Sequence, residues 1–207
     1  MAPAETIAFY FDPLCPWAWV TSRWATRLEE LGELEIDWRV FSLGLANLPE
    51  GDAIPNEPAG IGSEGLQHLV QAKRLGGNPS IARLYTALGR AAHVRHQDLQ
   101  DKAVLAQAWS EAGLDAADRE KASSDATLWQ EVVRQHRSAV DSCQAFGVPT
   151  LVLDGGAGPG LFGPVITEVP SDDESRELLR DLVRMARRGY FFELKRDREG
   201  HPAQTGA

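Results

Sequence analysis

The apolar pattern of the chain changes period within its first thirty residues. Ile7, Phe9 and Phe11 alternate with Ala8, Tyr10 and Asp12, as a short buried strand requires. From Pro16 to Leu31 the spacing becomes helical, with Trp17, Val20, Trp24 and Leu28 on one face. Proline suits the first helical position because the N–H it lacks would have no partner there. A second strand is predicted over Glu35–Ser42, with Ile36, Trp38, Val40 and Ser42 to one side. Strand, helix, strand in this order implies parallel pairing through a right-handed crossover. Residues 43–60 hold Pro49, Pro55 and Pro58 and read as a long loop, the kind that often carries function.

The centre, residues 61–145, reads as helical throughout. Asn78-Pro79 predicts an N-cap and first turn for a helix through Ile81, Leu84, Tyr85 and Leu88. Further helices are expected over Asp98–Glu111, from Asp115, and from Ser124 or Asp125 through Leu128, Trp129, Val132 and Val133. Strand signals return at Thr150–Leu153, followed by a turn over 155–160 and a short edge strand near Leu161 and Phe162. Ser171 and Glu174 form an S-x-x-E capping box for a helix carrying Leu178, Leu179, Leu182, Val183 and Met185. Tyr190-Phe191-Phe192 is expected to dock on the core before a loose polar tail. The element order is that of a thioredoxin fold interrupted in its middle. It predicts an α/β thioredoxin-like domain from residues 1–60 and 146–190, an inserted helical domain over 61–145 and a C-terminal tail over 191–207.

Composition narrows the function classes. A chain of 207 residues with net charge −9 is poorly suited to nucleic acid or anionic membrane as its main partner. No run reaches the ~18 apolar residues of a membrane span, and MAPAETIAFYF lacks the features of a signal peptide. Two cysteines make no disulfide framework, so a cytoplasmic location is expected. The five histidines show no zinc-ligand spacing, and no glycine-rich phosphate loop follows the first strand. Neither a metal nor a tightly bound nucleotide is expected.

The candidate chemistry centres on Cys15, placed at the strand-to-helix junction. Unsatisfied amides of a helix N-terminus favour negative charge, which predicts an easily ionised thiol. The position where a redox pair would place its second cysteine is Ala18. Cys143 lies on a predicted helix and reads as a structural cysteine, or else as a remote resolving thiol if the two α-carbons come within about 7 Å.

FDPLCPWAWVTSRW (residues 11–24), GVPT (147–150), FGPV (162–165) and FFELKR (191–196) together resemble the DsbA-like branch of the thioredoxin superfamily, and within it the actinobacterial mycothiol-dependent nitroreductases. The same insertion-bearing fold occurs in kappa-class glutathione transferases and hydroxychromene-carboxylate isomerases. The resemblance implies a cis Val148-Pro149 bond turned toward Cys15. It implies a surface for substrate or thiol formed by Pro16, Trp17, Ala18, Asn47, Val148, Pro149 and Gly163. Trp17 either lines that surface or simply packs; Asn47 either faces substrate or serves turn geometry; Asp12 either tunes Cys15 or ends the strand. The departure, Ala18, leaves a monothiol C-P-W-A centre. Cys15 would attack a disulfide, a small electrophile or a nitro compound, and a low-molecular-weight thiol, mycothiol rather than glutathione, would resolve the adduct. The alternatives are a thiol S-transferase or isomerase that positions a cofactor sulfur, and a non-enzymatic redox sensor or binding protein. The expected partner is a small thiol or disulfide, and the chain either a monomer or a homodimer.

Overall fold

Alternating large apolar residues make Glu5–Phe11 a strand, β1, and it lies in the centre of a four-stranded sheet ordered β2-β1-β3-β4. The computed structural model describes residues 3–58, 62–122, 124–197 and 200–203. β2 (Leu34–Val40) pairs parallel with β1, Ile7 opposite Ile36 and Phe9 opposite Trp38. β3 (Thr150–Leu153) runs antiparallel to β1, and β4 (Gly160–Phe162) antiparallel to β3. The right-hand part is the hairpin expected near Leu161, its turn tightened by a 3₁₀ segment at Asp154–Gly156. This is the strand order of the thioredoxin-like fold, and among the described residues five further α-helices and a π turn lie between β2 and β3 as a helical insertion.

Helix α1 (Pro16–Glu30) crosses from β1 to β2 and buries Trp19, Val20, Trp24 and Leu28. Fully burying one such side chain stabilises the fold by about 1.5–3 kcal/mol. The loop expected over residues 43–60 begins instead with a single helical turn, α2 (Leu43–Ala46), whose N-cap Ser42 accepts the Leu45 N–H. α3 (Ser63–Gly89) is broken by non-helical Gly76 and Gly77 just before Pro79. The interruption expected at Asn78-Pro79 is therefore present, but Asn78 does not act as the predicted cap. Its Oδ1 accepts the Trp38 N–H at 3.2 Å, because β2 is an edge strand with amides to satisfy. α3 continues into a π turn at Arg90–Val94.

α4 (Lys102–Glu111) starts later than expected, capped by Asp101, because Asp98 is spent on a turn with Gln100. α5 (Ala116–Ala122) precedes α6 (Ala126–Cys143), for which Asp125 rather than Ser124 is the cap. α7 (Asp172–Ala186) opens with the capping box of Ser171 and Glu174 and lays Leu179, Leu182 and Val183 against Ile7, Leu151 and Leu153. Docking of the aromatic cluster does not occur as expected: Tyr190 and Phe192 are exposed, and only Phe191 is partly covered. Tyr190 is held outward by Arg188, whose Nη1 donates to its hydroxyl. Farther along, the Ala203 N–H donates to the Thr167 carbonyl, while tail residues 198–199 and 204–207 fall outside the described residues, as does the 60/61 boundary of the insertion.

The outer edge of β2 is closed by side chains. The Ile36 N–H donates to Glu29 Oε1, the Trp38 N–H to Asn78 and the Val40 N–H to Gln135 Oε1, while the Trp38 carbonyl accepts from Lys73. Under the sheet, Phe11 stacks on Tyr85 with ring centroids 3.8 Å apart, and Trp19 approaches Gly89 so closely that a Cβ there would lie 2.2 Å from its ring. Arg23 stacks over Trp19 at 4.2 Å and blocks the indole's retreat. Gly89→Ala should therefore lower the unfolding free energy by about 1–3 kcal/mol, a drop of several degrees in a thermal melt. An unchanged melting temperature would contradict this packing.

Candidate active site

Cys15 occupies the N-cap of α1 with extended backbone, and its Sγ accepts the Ala18 N–H at 3.4 Å. The Cys15 N–H donates to the Asp12 carbonyl and the Trp19 N–H to the Cys15 carbonyl, so the turn is held from both sides. The thiol also donates to the Val148 carbonyl at 3.4 Å, across 133 residues of sequence. This contact brings the GVPT loop to Cys15. Val148-Pro149 is cis, as is Gly163-Pro164, and the Gly163 N–H donates to the Pro149 carbonyl at 2.8 Å. Gly163 has φ +106°, a conformation that L side chains rarely adopt. The Pro164 carbonyl accepts from Thr21 Oγ1, which ties this second loop to α1.

Accessibility falls off sharply around the sulfur. Cys15 is 7% exposed and Ala18 0%, while Pro16 is exposed and Trp17 half-buried. Val148, Pro149 and Gly163 are buried. The side of Cys15 nearest solvent is bordered by the exposed Pro16 and the half-buried Trp17. Asn47 is exposed at the C-cap of α2, and its Nδ2 donates to the Leu43 carbonyl at 2.8 Å. It stands on the segment that Asp12 holds: one carboxylate oxygen of Asp12 accepts the Leu14 N–H and the other the Leu43 N–H, both at 2.9 Å. Burial raises the Asp12 pKa to about 6 against the lowering effect of those two amides.

Three features of this region carry no local signal in the sequence. Asp12 sits where a strand ends, an ordinary place for an aspartate, and only the fold reveals its two partners. His93, on the π turn, reaches the Pro13 carbonyl with Nε2 at 2.9 Å and stacks near Trp19; burial lowers its pKa. Phe146 and Phe162 stack at 4.6 Å beside the Gly147–Pro149 loop although Phe146 is 72% exposed. Exposed paired aromatics at a site's rim are candidates for contact with substrate; the repeated GVPT and FGPV segments place them, but nothing in the spacing does.

Cys143 has a different neighbourhood. Its Sγ donates to the Ala139 carbonyl and packs against Gly160 on β4, burial raises its pKa, and no disulfide joins it to Cys15. A wide polar cleft of about 470 Å³ lies between β2, α3 and α6, lined by Asp37, Arg39, Lys73, Glu131 and Arg134 among others, without Cys15. Its cations are already matched: Arg39 and Lys73 with Asp37, Arg134 with Glu131. No cluster of three or more potential metal ligands occurs among the described residues, and no helix among them is long and apolar enough to cross a membrane.

Several solved structures share the architecture. A 2-hydroxychromene-2-carboxylate isomerase superposes with a TM-score of 0.63 at 16% identity, over 88% of this chain and 96% of that one. The cytosolic disulfide reductase DsbM of Pseudomonas aeruginosa, solved with GSH, gives 0.60 at 19% identity over 86% and 99%. A probable DsbA oxidoreductase, SCO1869 of Streptomyces coelicolor, gives 0.60 at 20% over 93% and 94%. At these identities the likeness shows the thioredoxin-like, DsbA-like fold. In sequence, the Mycobacterium tuberculosis protein Rv2286c is 32% identical over 191 residues, 92% of this chain and 81% of that protein. The model of the Rv2466c-like family, described as mycothiol-dependent nitroreductase Rv2466c, matches residues 14–196, a span that takes in Cys15, the cis-proline loop and FFELKR. The chain thus belongs to the Rv2466c-like family of thiol-dependent oxidoreductases.

Proposed function

We propose that this chain is a cytoplasmic, mycothiol-linked oxidoreductase in which Cys15 acts as the single thiol nucleophile. The observation that carries the reading is the setting of the sulfur: capped by the Ala18 amide, facing the Val148 main chain, and with an alanine where a resolving cysteine would stand. A thiolate at a helix N-terminus is stabilised by the amides that point at it.

The cycle requires two exchanges. The Cys15 thiolate attacks the mycothiol sulfur of a mixed disulfide between mycothiol and a second thiol; the old S–S bond breaks and the second thiol leaves as thiolate. A mycothiol thiolate then attacks the mycothiol sulfur of the Cys15 adduct, regenerating Cys15 and releasing mycothiol disulfide. The net reaction converts the mixed disulfide and one mycothiol thiol into the free second thiol and mycothiol disulfide: the released thiol is reduced, the incoming mycothiol is oxidised, and the mycothiol sulfur already in the substrate stays at the disulfide level. Reduction of a nitro compound to the nitroso level draws on the same donor, two mycothiols giving one disulfide and one water. Pro16, Trp17, Ala18 and Asn47 form one wall for the bound thiol; Val148, Pro149 and Gly163 form the other, with the Val148 backbone available to pair with an extended amide of the ligand. Mycothiol suits this setting through its cysteinyl amide, a donor and acceptor next to the sulfur.

Intact-mass measurement after exposure to mycothiol disulfide and to glutathione disulfide tests the reading. One mycothiol adduct on Cys15, formed in preference to the glutathione adduct and released by added mycothiol, is expected. Absence of any adduct, or an adduct confined to Cys143, would overturn it.

A further inference from the structure

Asp12 is 2% exposed and bears a carboxylate, yet no ion pair reaches it among the described residues. A buried carboxylate without a cation is costly and is tolerated where the structure uses both its oxygens. Here they serve two separate segments. Oδ1 takes the amide of Leu14, the residue before Cys15, and Oδ2 takes the amide of Leu43, the first residue of α2, 31 positions from Asp12. The Asp12 main chain adds a third tie, since its carbonyl accepts the Cys15 N–H at 3.0 Å. α2 ends four residues later at Asn47.

We propose that Asp12 is a positioning residue whose carboxylate bolts the Cys15 turn to α2, holding the nucleophile and the Asn47 wall in register, and whose protonation unfastens one of the two. An ionised carboxylate accepts at both oxygens. A protonated one keeps a single good acceptor, its carbonyl oxygen, while its hydroxyl oxygen is a poor acceptor that carries a donor, so one of the two amide bonds is given up. The clamp is therefore intact only in the charged form, and because the group titrates near pH 6 it opens within an attainable range. The titratable groups that face it are Cys15 on the same turn, Tyr85 of α3, and His93 behind the Pro13 carbonyl. The inference rests on Cys15 being the nucleophile, but its test needs neither mycothiol nor substrate.

Two measurements on the full chain decide it. In amide NMR of the unmodified protein, Leu14 and Leu43 should titrate together with one midpoint near pH 6. Independent midpoints, or no titration of either, would overturn the clamp. In a Cys143→Ala background, the alkylation rate of Cys15, corrected for its thiolate fraction, should fall about fivefold as pH drops through 6, the size expected for one lost hydrogen bond. Asp12→Asn, which can satisfy only one of the amides, should show the low rate at every pH and no inflection. Stability should move the other way. A carboxyl whose folded pKa lies above its unfolded value stabilises most below the unfolded pKa and loses that contribution as pH rises through 6. The melting temperature of the parent should thus rise relative to Asp12→Asn on acidification while Cys15 slows. A residue that only supports the fold would move both quantities in the same direction, and that result would reject the positioning role. If the coupled titration holds but no mycothiol adduct forms, the reading of function fails and the clamp stands.

Discussion

Cys15→Ser should abolish mycothiol-dependent turnover, with a loss of roughly 10³-fold or more, while leaving the fold in place. The serine oxygen can still cap α1 by accepting the Ala18 N–H and can still donate to the Val148 carbonyl, so the two contacts of the sulfur survive in kind. What is lost is nucleophilicity: a hydroxyl at neutral pH has no appreciable anion, and an O–S adduct cannot enter thiol–disulfide exchange. Turnover with mycothiol and the mixed disulfide measures the first claim, and the melting temperature, unchanged to within a few degrees, measures the second. A serine variant that keeps its activity would reverse the assignment. It would favour an enzyme that positions the sulfur of a thiol cofactor, as transferases and isomerases of this architecture are expected to do.

Ala18→Cys should convert the chemistry instead of removing it. The Ala18 amide already meets the Cys15 sulfur at 3.4 Å, so a thiol on residue 18 would stand beside the nucleophile in the first turn of α1. Once Cys15 carries mycothiol, that thiol can attack the Cys15 sulfur, form an internal disulfide and expel mycothiolate. Intramolecular attack in good geometry corresponds to a very high effective concentration. The lifetime of the Cys15–mycothiol disulfide should then be shorter than in the parent chain by about 10²-fold or more. Non-reducing mass spectrometry would record a two-hydrogen loss without the mycothiol mass. Ala18 is fully buried, so the added sulfur crowds the turn; ~1–3 kcal/mol of destabilisation is the usual range for such overpacking. Persistence of the mycothiol adduct in this variant would show that position 18 cannot reach the bond, and the monothiol account of Ala18 would lose its basis.

The sequence was most legible where a single segment decides its own structure. Cys15-Pro16 announces a strand-to-helix junction because proline restricts the backbone there, and Ser171 with Glu174 announces a helix start because the cap is closed within four residues. The strand pattern of β2 follows from alternation, whereas β1 and β3 are short apolar runs buried on both faces. Errors came where a distant partner outbid the local rule. Asn78 has the right neighbour for an N-cap, but the unpaired amide of Trp38 takes its side chain. Tyr190 and Phe192 are apolar enough for a core, yet the sheet is already covered by α1, α3 and α7, and Arg188 holds Tyr190 outside. The site divides in the same way. Cys15, Trp17 and the GVPT loop can be read from adjacent residues and from family likeness. The two-armed role of Asp12, the stacked Phe146 and Phe162 and the approach of His93 depend on residues brought together over 16 to 80 positions, and no periodicity encodes them.

The side chains along the outer rim of β2 decide how this sheet can be extended. Bare strand edges invite pairing with another chain, and aggregation or strand exchange follows from them. Glu29, Asn78, Gln135 and Lys73 occupy the groups that such a pairing would need. Three of these four residues come from α3 and α6, which makes the helical insertion a guard on one side of the thioredoxin-like sheet. A peptide adding itself as a fifth strand would have to choose the opposite side, where β4 offers only three residues, the last of them stacked on Phe146. Strand addition on the β2 side is thereby blocked, and only the short β4 side is left open to it.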